Sequence, residues 1–130
     1  MLLWLIDDTE GNHRITGATA ALVPGVRFRG FLTAEEGIAA FSLAARRPDE
    51  LPDAVLMDYY LGDLRGDQVT RRLRELEPAS ARPVIIGHSS VASGSAAILA
   101  AGGDLVLRKH ADDDGINPSL LAWLRARTAG

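Results

Sequence analysis

The sequence predicts an α/β fold, a doubly wound parallel sheet of five strands with helices on both faces. Five short apolar segments alternate with stretches in which apolar side chains recur at helical spacing. Glycine and proline mark the connections, as at Pro24-Gly25 and Gly102-Gly103. Strands that alternate with helices in this way are typical of βαβ units built around a parallel sheet.

The candidate strands differ in their expected burial. They are residues 2–6, 26–31, 54–57, 83–87 and 105–107. The first, third and fourth are almost continuously apolar, which is typical of strands covered on both faces. The second reads VRFRGF and alternates apolar with basic residues, so we expect it at an edge of the sheet.

A helix is predicted after each strand. The fourth is the alanine-rich segment 91–101, and the others are marked by apolar positions at helical spacing: Ile15, Ala18 and Leu22; Ile38, Phe41 and Ala45; Val69, Leu73 and Leu76; Ile116, Leu120, Trp123 and Leu124. These ten elements use the whole chain, so residues 1–130 are expected to form one domain.

Composition narrows the class of protein. The 130 residues are 47% hydrophobic and 24% charged, as in a globular protein, and the net charge of −3 gives no indication of a nucleic-acid or membrane surface. The absence of cysteine excludes disulfides and thiolate chemistry. The N-terminal MLLWLIDDTE is too short and too acidic for a signal peptide or a membrane span. We therefore expect a soluble protein of the cytoplasm.

The chemistry is expected at the carboxyl ends of the strands, where open parallel sheets bind ligands. Those ends carry Asp7 and Asp8, Asp58, then His88, Ser89 and Ser90, and finally Arg108 and Lys109. Three carboxylates in one crevice repel one another and need a cation, and oxygen ligands without histidine or cysteine suit Mg²⁺. A carboxylate beside Mg²⁺ can act as a nucleophile toward phosphorus, while a lysine and a serine hydroxyl offset the charge of the phosphoryl oxygens.

The motifs that carry these residues resemble the receiver domain of two-component response regulators, from the first strand to the last helix. Asp7 and Asp8 after LLWLI resemble the acidic pair of that family. VLMDYYLGDLRGD resembles its acceptor strand and loop, with Asp58 as the acceptor and Gly66 after the loop. IIGHSS places Ser89 at the switch hydroxyl and Ser90 at the small position, and AGGDLVLRK leads to the lysine, Lys109.

The resemblance implies a flavodoxin-like receiver fold with strand order 2-1-3-4-5 and a role for each site residue. Asp58 would take a phosphoryl group from a phosphohistidine on a sensor histidine kinase or phosphotransfer protein. Mg²⁺ would be bound directly by Asp8, mainly through water by Asp7, and by Asp58 and the backbone carbonyl of Tyr60. Lys109 and Ser89 would each contact a phosphoryl oxygen. The chain would be a switch that signals to another protein, with no enzyme activity beyond self-phosphorylation and autodephosphorylation.

Three positions depart from the family pattern. Gly62 and His110 stand where the family commonly has proline, in the latter case often after a cis bond. A cis bond before a residue other than proline costs about 2.5–4 kcal/mol, which leaves the geometry of the Lys109–His110 bond open. Val106 replaces an aromatic residue that rotates on activation in many members, so that coupling cannot operate here in its usual form. Tyr60, two residues after the acceptor, is placed to shield an acyl phosphate from water.

Simpler interpretations stay open for several residues. Asp7 and Asp8 could form a helix cap, and Asp58 an Asx turn. Ser90 could cap the following helix, Lys109 could be an ordinary surface lysine, and the histidines His13, His88 and His110 could be structural or exposed. Ile98, Leu121 and Trp123 could contribute to a homodimer through the last two helices or lie in the core.

Other functions are open at this stage. A receiver-like interaction module that acts without phosphorylation is the main alternative. An aspartate-nucleophile phosphatase would carry Asp-x-Asp on the first strand, whereas this chain has the adjacent pair Asp7-Asp8. A flavodoxin-type FMN site would need uncharged residues after that strand, where DDTE would repel phosphate.

Overall fold

A parallel five-stranded sheet forms the centre of the molecule, as predicted. The computed structural model describes residues 1–129, in which the strands are β1 (Leu2–Ile6), β2 (Arg27–Phe31), β3 (Ala54–Met57), β4 (Tyr60–Leu61), β5 (Leu64–Arg65), β6 (Val84–Gly87) and β7 (Leu105–Val106). The order in the main sheet is β2-β1-β3-β6-β7, and β4 and β5 pair separately as a short antiparallel hairpin. Counting only the strands of the main sheet, the order is the predicted 2-1-3-4-5.

Five α-helices connect the strands, with one short 3-10 helix at Pro48–Glu50. They are α1 (Glu10–Ala21), α2 (Ala34–Ala44), α3 (Gly66–Leu76), α4 (Ala92–Ala100) and α5 (Pro118–Thr128). In α2 and α5 the side chain of the N-cap residue itself bonds to the first turn of the helix. The Thr33 hydroxyl accepts a hydrogen bond from the Glu36 N–H, and the Asn117 carboxamide oxygen accepts one from the Leu120 N–H, each at 3.1 Å.

Each face of the sheet has its own apolar core. Trp4 and Ile6 of β1 pack with residues of α2, α3 and α4, whereas Leu3 and Leu5 pack on the other face with residues of α1 and α5. Successive strand residues point to opposite faces, so a continuously apolar strand serves both cores. This burial confirms the prediction that the central strands are covered on both sides.

The edge position predicted for the second strand is also confirmed. β2 pairs only with β1, and its residues Arg27, Arg29 and Gly30 are exposed. The Arg29 guanidinium lies over the rings of Trp4 and Phe31, 5.7 Å and 4.7 Å from their centroids. Charged side chains of this kind discourage pairing of the free edge with another chain.

The sequence left open whether Ile98, Leu121 and Trp123 lie in the core or on a dimer surface. The three residues differ in how far they are buried. Ile98 is fully buried in the core, and Leu121 and Trp123 are partly buried against the core beneath α5. The exposed apolar side chains near α4 and β7 are instead Val91, Leu99 and Val106. Among residues 1–129, no helix combines the length and apolar character needed to cross a bilayer.

Candidate functional site

Three carboxylates converge at the carboxyl edge of the sheet. Asp7 and Asp8 directly follow β1, Asp58 directly follows β3, and these two strands are neighbours. One carboxylate oxygen of each residue lies within 4.8 Å of the others. Asp7 and Asp58 are buried and Asp8 is exposed, so the cluster opens to solvent on one side. The arrangement of oxygen ligands fits a hard divalent cation such as Mg²⁺.

Lys109 reaches into this cluster from the segment that follows β7. Its ammonium nitrogen Nζ lies 2.7 Å from Asp7 Oδ2 and 3.0 Å from Asp58 Oδ1. It is the only lysine in the chain, and the other thirteen of the 14 lysine and arginine residues are arginine. A compact ammonium group fits between two close carboxylates more easily than a planar guanidinium does. An ordinary surface role for Lys109 is therefore excluded.

Asp7 is held in place by residues at the start of α1. The Thr9 N–H donates to Asp7 Oδ1 at 2.9 Å, and Asn12 Nδ2 lies 3.2 Å and 3.1 Å from the two carboxylate oxygens. His13 Nε2 lies 2.7 Å from the Asp7 carbonyl oxygen, and Gly30 leaves the space that its imidazole ring occupies. The sequence motifs do not include Asn12, although its position one helical turn after the acidic pair is a usable signal.

Asp58 carries its charge in an unfavourable setting. Burial raises the pKa of its carboxyl group, and the neighbouring Asp7 carboxylate raises this pKa further. The Lys109 ammonium and a hydrogen bond from the Tyr59 N–H act in the opposite direction but do not cancel the rise in pKa. A divalent cation in the cluster would relieve this repulsion.

An open cleft of about 410 Å³ borders the cluster. Its lining residues are Asp8, Thr9, Asn12, Asp58, Tyr60, Ser90 and Lys109. The side chain of Tyr60 is exposed and borders the cleft next to Asp58. The role of its backbone carbonyl as a metal ligand stays a prediction.

Ser90, rather than Ser89, borders this cleft. Met57 lies opposite Gly87 in the β3–β6 register, so one residue further along each strand Asp58 faces the same side as His88. Ser89 points to the other side, where its hydroxyl accepts a hydrogen bond from the Val91 N–H at 3.1 Å. Its contact with a phosphoryl oxygen thus requires the side chain to turn, and it stays a prediction.

The alternative that Ser90 caps the fourth helix is wrong. The N-cap residue of α4 is Val91, and it has no side-chain capping hydrogen bond. Ser90 is instead exposed at the mouth of the cleft. A one-residue difference in where the helix starts accounts for the discrepancy.

The residues that depart from the family pattern are accommodated without disturbing the cluster. No peptide bond among residues 1–129 is cis, so the Lys109–His110 bond is trans, and Lys109 still reaches both carboxylates. Gly62 lies at the exposed tip of the β4–β5 hairpin with a φ of 76°, a conformation that favours glycine. Val106 is 43% exposed.

His88 is a buried neutral residue behind the cluster. It is 2% exposed, and its Nε2 lies 3.2 Å from Asn117 Nδ2. Burial, assisted by the positive charge of Lys109, lowers the pKa of His88 to about 4 against the opposing effect of Asp7. This environment supports a structural role for His88.

Acid should destabilise the protein through His88. Between pH values of about 6.5 and 4 the unfolded chain binds a proton at this imidazole and the folded chain does not, so the free energy of unfolding falls as pH falls. The loss across this range is expected to reach about 3 kcal/mol, at 1.36 kcal/mol for each unit of pKa shift. Denaturant unfolding of the wild type and of His88→Gln at several pH values measures it. The fall in the free energy of unfolding across this pH range should be larger in the wild type than in His88→Gln by this amount. The same fall in both proteins would contradict the lowered pKa of His88.

Comparison with solved structures identifies the fold. No protein-family model and no curated protein sequence matches the chain significantly. Solved structures do match. A CheY-like response regulator receiver domain protein from Methanospirillum hungatei JF-1 has 21% identity and a TM-score of 0.74, over 97% of this chain and 91% of that one. A CheY-like receiver domain from Methylobacillus flagellatus has 18% identity and a TM-score of 0.74, over 97% of both chains.

A third similar structure contains ligands. The receiver domain of the histidine kinase CKI1 from Arabidopsis thaliana, complexed with Mg²⁺ and BeF₃⁻, has 17% identity and a TM-score of 0.73. The match covers 96% of this chain and 89% of that one. The chain therefore has the fold of response regulator receiver domains, which confirms the fold that the sequence motifs implied.

Proposed function

We propose that the chain is a phosphoacceptor switch in which Asp58 receives a phosphoryl group in the presence of Mg²⁺. The observation that carries this proposal is the meeting of Asp7, Asp8, Asp58 and Lys109 at the carboxyl edge of a receiver fold. A buried carboxylate with a raised pKa next to two other acids has no evident structural purpose. Its placement at the edge of an open cleft makes it accessible to a donor.

The transfer balances as a simple displacement at phosphorus. A carboxylate oxygen of Asp58 forms a bond to phosphorus, and the bond between phosphorus and the donor imidazole nitrogen breaks, leaving the electron pair on that nitrogen. Mg²⁺, when bound, would neutralise charge on the transferring oxygens. Asp8, Asp7, Asp58 and the Tyr60 carbonyl would hold it.

Lys109 has two tasks in this scheme. Before transfer, its ammonium group offsets the charges of Asp7 and Asp58, to which it is bonded. After transfer, the phosphoryl group adds about −1.5 to −2 charge, and Lys109 lies within reach of the new oxygens. Ser89 or Ser90 would provide a hydroxyl contact to another oxygen. The fold would convert this redistribution of charge into a change in the protein surface that a partner contacts.

The partners follow from the chemistry. The donor would be the phosphohistidine of a sensor histidine kinase or a phosphotransfer protein, and the output would be a contact with a downstream protein in the cytoplasm. The related structure with Mg²⁺ and BeF₃⁻ supports the same ligand set, since fluoroberyllate has the size and charge of a phosphoryl group. We propose neither a nucleic-acid nor a membrane partner, and the homodimer through α4 and α5 stays a prediction.

Acetyl phosphate tests the proposal directly. Incubation with this small donor and Mg²⁺ should add one phosphoryl group to the intact mass, and EDTA should prevent the addition. Hydroxylamine should remove the group, as expected of an acyl phosphate. No mass increase, together with no binding of fluoroberyllate, would favour an interaction module that acts without phosphorylation.

Tyr60 is expected to prolong the life of the acyl phosphate. Its exposed side chain borders the cleft that water must cross to reach Asp58. Tyr60→Asn or Tyr60→Glu should therefore speed the loss of the phosphoryl group, whereas Tyr60→Phe keeps the ring and serves as the matched control. The decay of the phosphorylated mass after removal of acetyl phosphate measures the lifetime. An unchanged lifetime in the Asn and Glu variants would refute the shielding role.

A further inference from the structure

Asn117 is a buried residue whose polar groups are all bonded. It is 2% exposed and lies just before α5. Its N–H donates to Thr19 Oγ1 of α1 at 3.0 Å, and its side-chain oxygen accepts from the Leu120 N–H at 3.1 Å. Because that oxygen is occupied by a donor, the side-chain nitrogen Nδ2 must face the other two partners. These are the Arg108 carbonyl oxygen at 3.1 Å and His88 Nε2 at 3.2 Å.

The bond to Arg108 matters because of where that residue lies. The β6–β7 pairing ends with the Leu107 N–H bonded to the Gly87 carbonyl at 3.0 Å, and the chain then leaves the sheet. Within residues 1–129, the main chain of residues 108–111 has one hydrogen bond, and Asn117 supplies it. That bond holds the peptide group from which Lys109 extends toward Asp7 and Asp58.

The contact with His88 adds a second constraint. An amide nitrogen can only donate, so His88 Nε2 accepts and the proton of the neutral ring is on Nδ1. His88, Lys109 and Asn117 line one cavity of about 120 Å³. The Asn117 carboxamide thus fixes both the ring that packs beside Lys109 and the main chain that carries it.

We propose that Asn117 is a positioning residue, which through its carboxamide nitrogen holds Lys109 in the geometry needed for phosphoryl transfer to Asp58. This inference rests on the proposed function, but it concerns a residue outside the acceptor, the metal ligands and the lysine. The capping role of Asn117 at α5 is separate, because it uses the oxygen of the carboxamide rather than the nitrogen.

Asn117→Ser separates the two roles. Serine is as good an N-cap as asparagine, but it offers no nitrogen to the Arg108 carbonyl. The variant should still fold, with a lowered thermal midpoint because the Arg108 carbonyl and His88 Nε2 lose their buried donor, while its rate of phosphorylation by acetyl phosphate falls about ten- to a hundredfold, as expected when a catalytic group is misplaced. Thr33→Ala is the matched control, since it removes the cap of α2 without touching the acidic cluster. Its phosphorylation rate should equal that of the wild type.

Lys109 provides a second readout that does not depend on phosphorylation. Because it is the only lysine, a protein labelled with ¹³C-lysine gives the NMR signals of this side chain alone. The order parameter of its Cε–H bonds should fall in Asn117→Ser and stay unchanged in Thr33→Ala. If Asn117→Ser does not fold, Asn117→Asp replaces it, because aspartate also caps without donating.

The phosphorylation rate and the Lys109 order parameter together distinguish a failure of the positioning role from a failure of the proposed function. Wild-type rate and wild-type mobility of Lys109 in the serine variant would overturn the positioning role and leave the proposed function intact. If the wild type itself is not phosphorylated, the proposed function fails. In that case an unchanged Lys109 order parameter overturns the positioning role and a reduced one supports the contact on which it depends.

Discussion

Asp58→Asn is expected to abolish phosphorylation by acetyl phosphate completely. The neutral carboxamide cannot attack phosphorus, and the remaining two carboxylates lack its position at the end of β3. The variant should fold, because burial and Asp7 raise the pKa of Asp58 and a neutral group of the same shape relieves that repulsion. Intact mass after incubation with acetyl phosphate and Mg²⁺ gives the result.

Asp63→Asn is the matched control for this experiment. Asp63 is an exposed acid five residues further along, in the β4–β5 hairpin, and it does not belong to the acidic cluster. Its variant should gain one phosphoryl group at the wild-type rate. Retention of the mass increase in Asp58→Asn would show that another side chain is the acceptor, and equal losses in both variants would point to a general effect of charge.

Gly66→Ala is expected to unfold much of the site and to lower stability by at least about 3 kcal/mol, the upper range for overpacking a core. Gly66 begins α3, and its N–H donates to the Tyr59 carbonyl at 2.7 Å. A β-carbon here would overlap the main-chain oxygen of Asp58 and approach Ile98 Cδ1 to 3.0 Å. Since backbone cannot rotate away as a side chain can, the acceptor itself must move. Thermal unfolding should show a midpoint roughly 10 °C lower.

Gly17→Ala is the matched control, because the structure has room for a β-carbon at this glycine. Gly17 lies inside α1, and a β-carbon there would make an ordinary contact of 3.5 Å with the Phe28 ring. Replacing a helical glycine by alanine at such a site stabilises by about 0.5–1 kcal/mol. An equal effect of the two substitutions, or normal phosphorylation of Gly66→Ala, would show that the chain near Asp58 adapts to the added carbon.

The secondary structure and the main acidic site were predictable because their signals are local. A continuously apolar strand, or a helix with apolar residues on one face, is read within a window of a few residues. The parallel arrangement then places all carboxyl ends on one edge, which is enough to bring Asp7, Asp8 and Asp58 together and to place Lys109 at the same edge. The edge position of β2 followed from its alternating basic residues in the same way.

The orientation of the two serines after β6 could not be predicted from local sequence patterns. Motif position alone assigned the contact with the cleft to Ser89, while the β3–β6 register gives it to Ser90 in this conformation. A shift of one residue reverses the side to which a strand residue points. Register depends on how two distant segments pair, so a short motif does not contain it.

The order of apolar and polar residues determines the five strands of the main sheet, the five helices and the acids at the strand ends, while the order of those strands in the sheet followed from the resemblance of the motifs to receiver domains. Only the tertiary structure decides how those acids are supported. Asn117 bonds Thr19 across 98 positions of chain, and Lys109 bonds Asp58 across 51. Contacts between segments so far apart form only when the helices pack on the sheet, and no local pattern of residues encodes their distances.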